Sequence, residues 1–225
     1  MSAKMLTFKA PERRLMFAVV LVAMALSWTT MATAGDFPAT GQTTCWDSAG
    51  AVIPCAGTDQ DGDIRAGARL RYKDNGDGTI TDKNTNLTWE KLSADGSIHD
   101  ASNAYTWADA FAVHVAGLNQ AHFAGHHDWR LPNVKELQSV VNYENFAPAV
   151  SSPFNHDCVA GATVLTGSCT VGNGYWSSTT YKYAPVGAWF VNFIDGGVNV
   201  GIKSSFFIQV RAVRGGSEDE DEHHR

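Results

Sequence analysis

Apolar and polar residues alternate with a period of two around residues 79–89 and again over the final third of this chain, and recur at helical spacing between them. "RYKDNGDGTITDKNTNLTWEK" (71–91) carries Asn75-Gly76 and Asp77-Gly78, dipeptides that suit hairpin turns, before "TIT" alternates into "NLTW". The pattern predicts strand, turn, strand, with Leu87 and Trp89 inward. "AWFVNF" puts Trp189, Val191 and Phe193 on one face. Asp195-Gly196-Gly197 then turns the chain, and "VNVGIK" returns with Val198, Val200 and Ile202 on one face. "FFIQVRAVR" (206–214) reads as a last strand, and its apolarity predicts a central place in a sheet.

Two helical patterns lie between. In "YTWADAFAVHVAGLNQ", Thr106 with Asp109 three residues on is a helix-start signal, and Trp107, Phe111, Val115 and Leu118 form the buried stripe. In "DWRLPNVKELQSVVNY", Asn133 caps a second helix, Glu136 completes a capping box, and Val134, Leu137, Val140 and Val141 face inward. Helices in the middle with antiparallel hairpins around them predict an α+β fold.

The two ends are different. Lys4, Lys9, Arg13 and Arg14 precede an apolar stretch, Leu15 to Leu26, followed by Ala32-Thr33-Ala34. This is the plan of a secretory signal peptide, and the stretch is shorter than the ~20 residues of a membrane span. No cysteine near Ala34 offers a lipid attachment point. The expected organisation is a leader (1–34), an extended disulfide-pinned arm (35–70), a folded domain (71–216) and a disordered acidic tail (217–225), "SEDEDEHHR". No stable membrane span is expected after cleavage, and the product is expected in the periplasm, at the cell surface or in the medium.

Export changes both charge and cysteine chemistry. The full chain carries a formal charge of −6; without four basic residues and Glu12 of the leader, 13 basic residues face 22 acidic ones, or −9. Such a chain has no general pull toward polyanions, so nucleic-acid binding is not expected. Cys45, Cys55, Cys158 and Cys169 are an even count for an oxidising compartment. Of three possible connectivities, the close pairs Cys45–Cys55 and Cys158–Cys169 are the simplest. No C-x-x-C spacing suggests zinc.

"DNGDGTITDKNTNLTWEK", "WADA", "DWRLPNVKELQSVVNY", "YWSSTTY", "AWFVNFIDGGV" and "VRAVRGG" occur here in an order that resembles the Lcl C-terminal domain family of bacterial exported proteins, a domain of unknown function. The resemblance runs from about Tyr72 to Gly216. It implies a C-type-lectin-like scaffold, in the branch shared with formylglycine-generating enzymes, with two helices packed on antiparallel β-hairpins and a loop-rich face that displays side chains. A named family member is an adhesin that binds sulfated glycans, but this chain is acidic and has neither a collagen-like repeat nor a basic cluster.

Candidate chemistry is weighed against that scaffold. In "GYWSSTTYKYAPVGAWFVNF" (174–193), Ser177 and Ser178 sit in no G-x-S-x-G elbow and have no histidine motif to pair with. Trp176 is therefore expected in the core, with the hydroxyl residues bonded to backbone. Tyr181, Lys182 and Tyr183 follow on the expected loop side and are the first candidates for ligand binding, because tyrosine offers an apolar face and a hydroxyl at low entropic cost. Asn192, Asn199 and Lys203, on polar strand positions, are candidates to extend that patch. Gly125 breaks the register of His122 and His126, so "HFAGHHDW" reads as a loop rather than a metal site. Asp59, Asp61 and Asp63 fit the first positions of a calcium loop, but Ile64 takes the glycine position. They stand as candidate ligands of an irregular calcium site, and no other cofactor is expected. The reactive cysteine pair of the formylglycine-generating relatives has no counterpart in Cys158 and Cys169, which bracket a Gly/Thr-rich loop. Arg130 is expected to be paired within the fold.

Together these features predict an exported, non-enzymatic binding or adhesion module whose partner is a glycan or an extracellular protein. The alternatives are an envelope enzyme using the same face and a structural envelope component. Oligomeric state is not legible in the sequence.

Overall fold

Asn75–Gly78 turns the chain between β3 (Tyr72–Asp74) and β4 (Thr79–Asp82), with Gly76 and Gly78 at φ +78° and +92° and Asp77 Oδ1 accepting from the Thr79 amide at 3.0 Å. The computed structural model describes residues Phe37–Gly216; the expected leader (1–34) and acidic tail (217–225) lie outside the described residues. β5 (Thr88–Glu90) pairs with β4, placing Ile80 opposite Trp89, both fully buried, and Leu87 just before it is buried as well. A four-stranded antiparallel sheet results, in the order β3-β4-β5-β9, with β9 (Val213–Arg214) at its edge.

The second sheet has three antiparallel strands in the order β6-β7-β8: Gly174–Thr180, Gly187–Asn192 and Val198–Ile202. Its register sets Tyr175 opposite Val191 and Val191 opposite Val198, with Trp189 opposite Val200, so the alternation read from the sequence puts these side chains on one face. Trp176 and Phe190 share the other face.

A helix lies against each face. Thr106 caps the first, accepting the Asp109 amide at 3.2 Å. This helix spans 107–120, and its middle, Ala110–Val115, is wound as a π-helix. Ala110, Val115, Trp107 and Phe111 pack with Trp176, Ala188 and Phe190. The second helix, Val134–Gln138, has the full capping box at Asn133 and Glu136. Leu137, Val140 and Val141 join Tyr175, Val191 and Phe193 in the main core, which also takes Ile80 and Trp89 from the first sheet and Leu92 just beyond it. Each of these large side chains contributes about 1.5–3 kcal/mol by burial. The fold is α+β.

The C-terminal segment corrects one expectation. "FFIQVRAVR" is not a central strand: only Val213–Arg214 is ladder-paired, while Ile208, Gln209 and Val213 make single bridges to Tyr105, Tyr175 and Arg130. The segment threads between the two sheets. It is apolar because Val213, Ile208 with Val210, and Ala212 each enter a different core cluster, not because it is flanked by strands.

The arm holds more structure than an extended segment. β1 (Cys45–Trp46) and β2 (Val52–Ile53) form a hairpin closed by the Cys45–Cys55 disulfide, and one helical turn follows at Asp61–Ile64. Glu144 accepts the amides of Thr43 and Thr44 and the Thr44 hydroxyl, tying the arm to the domain. The Cys158–Cys169 disulfide is also formed, so both close pairs expected from spacing are present. Two disulfides are compatible with folding outside the cytoplasm. No helix among the described residues is long and apolar enough to cross a membrane.

Candidate functional site

The hydroxyl-rich stretch of β6 is framework. Trp176 is fully buried, and its Nε1 donates to the Tyr105 carbonyl at 2.9 Å. Ser177 is also fully buried, its Oγ donating to the Trp189 carbonyl at 2.7 Å across the hairpin. Ser178 donates its amide to the Pro132 carbonyl at 2.8 Å, and Thr179 Oγ1 accepts the Val134 amide at 3.1 Å. These bonds clamp β6 to the start of the capped helix. Ser178 borders a cleft of about 530 Å³ with Arg130, Asn133 and Glu136, and no histidine lines it. Arg130 is paired as expected: its guanidinium grips Glu136 through two bonds of 2.8 and 2.6 Å and donates to the Gly215 carbonyl at 2.7 Å.

Beyond that clamp the hairpin opens. Tyr183 stands 89% exposed at the β6–β7 turn. Its ring lies 6.0 Å from that of Tyr181, which packs edge-on at 5.2 Å against Trp189. Three aromatic rings thus run in succession from the strand to the loop tip, each supporting the next, with Lys182 exposed between the tyrosines. Lys203 reaches the same end, because its amide donates to the Val186 carbonyl. Its amine is already held, however: it donates to Thr180 Oγ1 at 2.8 Å and lies 4.0 Å over the Trp107 ring. Val186, Ile202, Phe206 and Phe207 are exposed around this end.

The two asparagine candidates go elsewhere. Asn192 ends β7 at the opposite tip of the sheet, where its Oδ1 accepts the Ile194 amide at 2.9 Å within the turn. Asn199 is exposed, but it pairs with Phe190 and so stands on the other face from Trp189 and Val200. Tyr181, Lys182 and Tyr183 share the loop, and Lys203 reaches the same end of the sheet from the face of Trp107.

Asp59, Asp61 and Asp63 are likewise not gathered. Asp63 accepts the Gly57 and Thr58 amides at 2.9 and 3.1 Å, and Asp61 accepts the Thr40 hydroxyl. Among the described residues, no group of three or more His, Cys, Asp or Glu side chains is arranged to hold a metal. His122 and His127 are exposed and lie 5.9 Å apart by ring centroid on a loop where His122 and Ala124 have positive φ.

One polar cluster escaped the sequence. Glu90 is fully buried, and its carboxylate accepts from His99 Nδ1 at 2.7 Å, His114 Nε2 at 2.8 Å and the Ala212 amide at 3.0 Å. Burial alone would raise its pKa, but the charge and N–H groups of His114 and His99 outweigh that and lower it to about 2. Arg211, also buried, completes the cluster by donating to the carbonyls of Glu90 and Cys169 and to Thr170 Oγ1, all within 2.8 Å. His114 Nδ1 is buried without a partner among the described residues. The only available signal was "WEK" ending a strand and one histidine on an apolar helix face, and nothing in either says that they meet. The arrangement joins the first sheet, the π-wound helix and the C-terminal segment; with its carboxylate sealed, it does structural work.

A family model, that of the Lcl C-terminal domain, matches residues 78–214, more than half of the chain. No curated protein matches it.

Proposed function

The chain belongs to the Lcl C-terminal domain family, and we propose that within it this chain is an exported, non-enzymatic binding module. Its ligand is a glycan or a protein surface met outside the cytoplasm. The observation that carries this reading is the row Trp189–Tyr181–Tyr183, which ends in a tyrosine that is almost fully exposed. Leaving a large aromatic ring in water forgoes burial worth about 1.5–3 kcal/mol. Here that ring lies beside Tyr181, which is itself packed on Trp189, and a tyrosine has few rotatable bonds for a stacking ligand to freeze. The clamp from Ser177 and Ser178 to backbone carbonyls supports the same division of labour: strand as framework, loop as display.

The test replaces Tyr181 and Tyr183 with alanine, singly and together, and probes an array of glycans and extracellular-matrix proteins with and without calcium. Binding by the wild-type chain should fall at least about 30-fold in the double variant, the loss expected at an interface hot spot. Retained binding would move the site away from this loop. Dependence on calcium that disappears on replacing Asp59, Asp61 and Asp63 would place a cation in the arm.

A further inference from the structure

The outer edge of β8 carries an interaction of its own, independent of the aromatic row. In the β7–β8 pairing, Lys203 donates its amide to the Val186 carbonyl and Asn192 donates to the Gly197 carbonyl. With Ala188 opposite Gly201 and Phe190 opposite Asn199, these set the hydrogen-bonded pairs of the ladder. Residues 199, 201 and 203 therefore point their backbone groups at β7. Val198, Val200 and Ile202 point theirs the other way, where no strand lies among the described residues, although the Ile202 carbonyl accepts the Ser205 and Phe206 amides at 3.3 and 3.0 Å in the turn that follows.

Edge strands of this kind are normally blunted by charge, proline, a bulge or a covering segment. "VNVGI" has no charge and no proline, and its pairing with β7 runs without a register shift. The side chains of Val198, Val200 and Ile202 stand on one face as an incompletely buried apolar strip. Exposed Val186, Phe206 and Phe207 flank its end.

We infer that β8 pairs antiparallel with β8 of a second copy of this chain about a two-fold axis at Val200. A like strand matches this edge in its uncharged apolar side chains as well as in its register. An axis at Val200 sets Val200 against its copy and Val198 against Ile202 of the partner, so the free groups of Val198 and Val200 and the Ile202 amide meet outward-pointing groups. Valine then faces valine and isoleucine faces valine across the seam, forming one apolar strip from both copies. Absence of charge in the strand means that no like charges are brought together. The nearest cation, Lys203, is already held by Thr180 and the Trp107 ring. The two three-stranded sheets become one of six strands.

Light scattering coupled to gel filtration, on the purified chain with its disulfides intact, should show a dimer at tens of micromolar. Val200→Lys, which sets two cations face to face on the axis, should weaken that dimer at least about 30-fold. A second variant covers the case in which the lysine disturbs folding. Val200→Cys should cross-link the dimer spontaneously, because paired Cα atoms in such a ladder lie about 5.5 Å apart, within disulfide range. A chain that is monomeric throughout the concentration range overturns the inference. So does a dimer that Val200→Lys leaves intact and Val200→Cys does not cross-link. A monomer that takes up an extended peptide along β8 would make the edge a docking site for another protein and overturn self-pairing.

Discussion

Glu90→Gln is the most informative single change to the fold. The wild-type carboxylate accepts three N–H groups from three separate parts of the chain, at 2.7, 2.8 and 3.0 Å, with no exposure to solvent. Glutamine has the same shape but one acceptor oxygen, which serves most donors where it meets His114 Nε2 and the Ala212 amide, leaving its NH2 against His99 Nδ1. His99 must then turn Nδ1 into an acceptor, and every bond that the carboxylate charge strengthened becomes a neutral one. Hydrogen bonds to a charged acceptor are worth about 1.5–3 kcal/mol each, and removing one partner of a buried pair costs about 3–5 kcal/mol. Since the variant also no longer buries a charge, a net loss of about 3 kcal/mol at pH 7 is expected. The melting temperature should fall about 6–12 °C for a chain of this size.

The pH dependence separates this mechanism from simple misfit. The folded-state pKa of Glu90, about 2, lies below that of an unfolded glutamate, about 4.3. Between those values the unfolded chain binds more protons, so Glu90 contributes stability that is complete above about pH 5 and is lost as pH falls toward 2. Urea unfolding followed by tryptophan emission, at steps from pH 7 to pH 2.5, should show the gap between wild type and Glu90→Gln closing across that window. A gap that stays constant with pH, or one below about 1 kcal/mol at pH 7, would refute the argument that the carboxylate charge organises this cluster.

Two other changes test the local reasoning. Asn133→Ala removes an acceptor that takes the Lys135 and Glu136 amides, both at 2.9 Å, and should cost about 1 kcal/mol in urea unfolding without altering the m-value. Gly201→Ala would place a methyl 2.7 Å from Trp176 Cη2 and 2.9 Å from Phe206 Cδ2. The indole is fixed by its bond to Tyr105, so overpacking should cost about 1–3 kcal/mol in the same assay, with Phe206 displaced outward.

Short-range physics made much of the fold legible in advance. Turn dipeptides placed the β3–β4 hairpin, and period-two alternation gave the shared face of Trp189, Val191, Val198 and Val200. Capping chemistry found both helix starts, and sequence proximity paired the cysteines. Each of those signals lies within a dozen residues of what it determines. Tyr181, Lys182 and Tyr183 were recognisable as a loop at the end of the strand for the same reason: a core block, a run of tyrosines and a proline are local features.

Tertiary structure alone decided the rest, because it depends on which distant segments meet. "FFIQVRAVR" has the composition of a central strand, yet it is a thread between two sheets, since three clusters claim its apolar residues one by one. Asn192 and Asn199 have the polarity of patch residues, but register sent one to the far tip and the other to the opposite face. Glu90 read as one more charge beside a tryptophan. Its partners are contributed by residues 99, 114 and 212, and no pattern along a chain reports an ion's solvation once water has been replaced by groups so far apart in sequence.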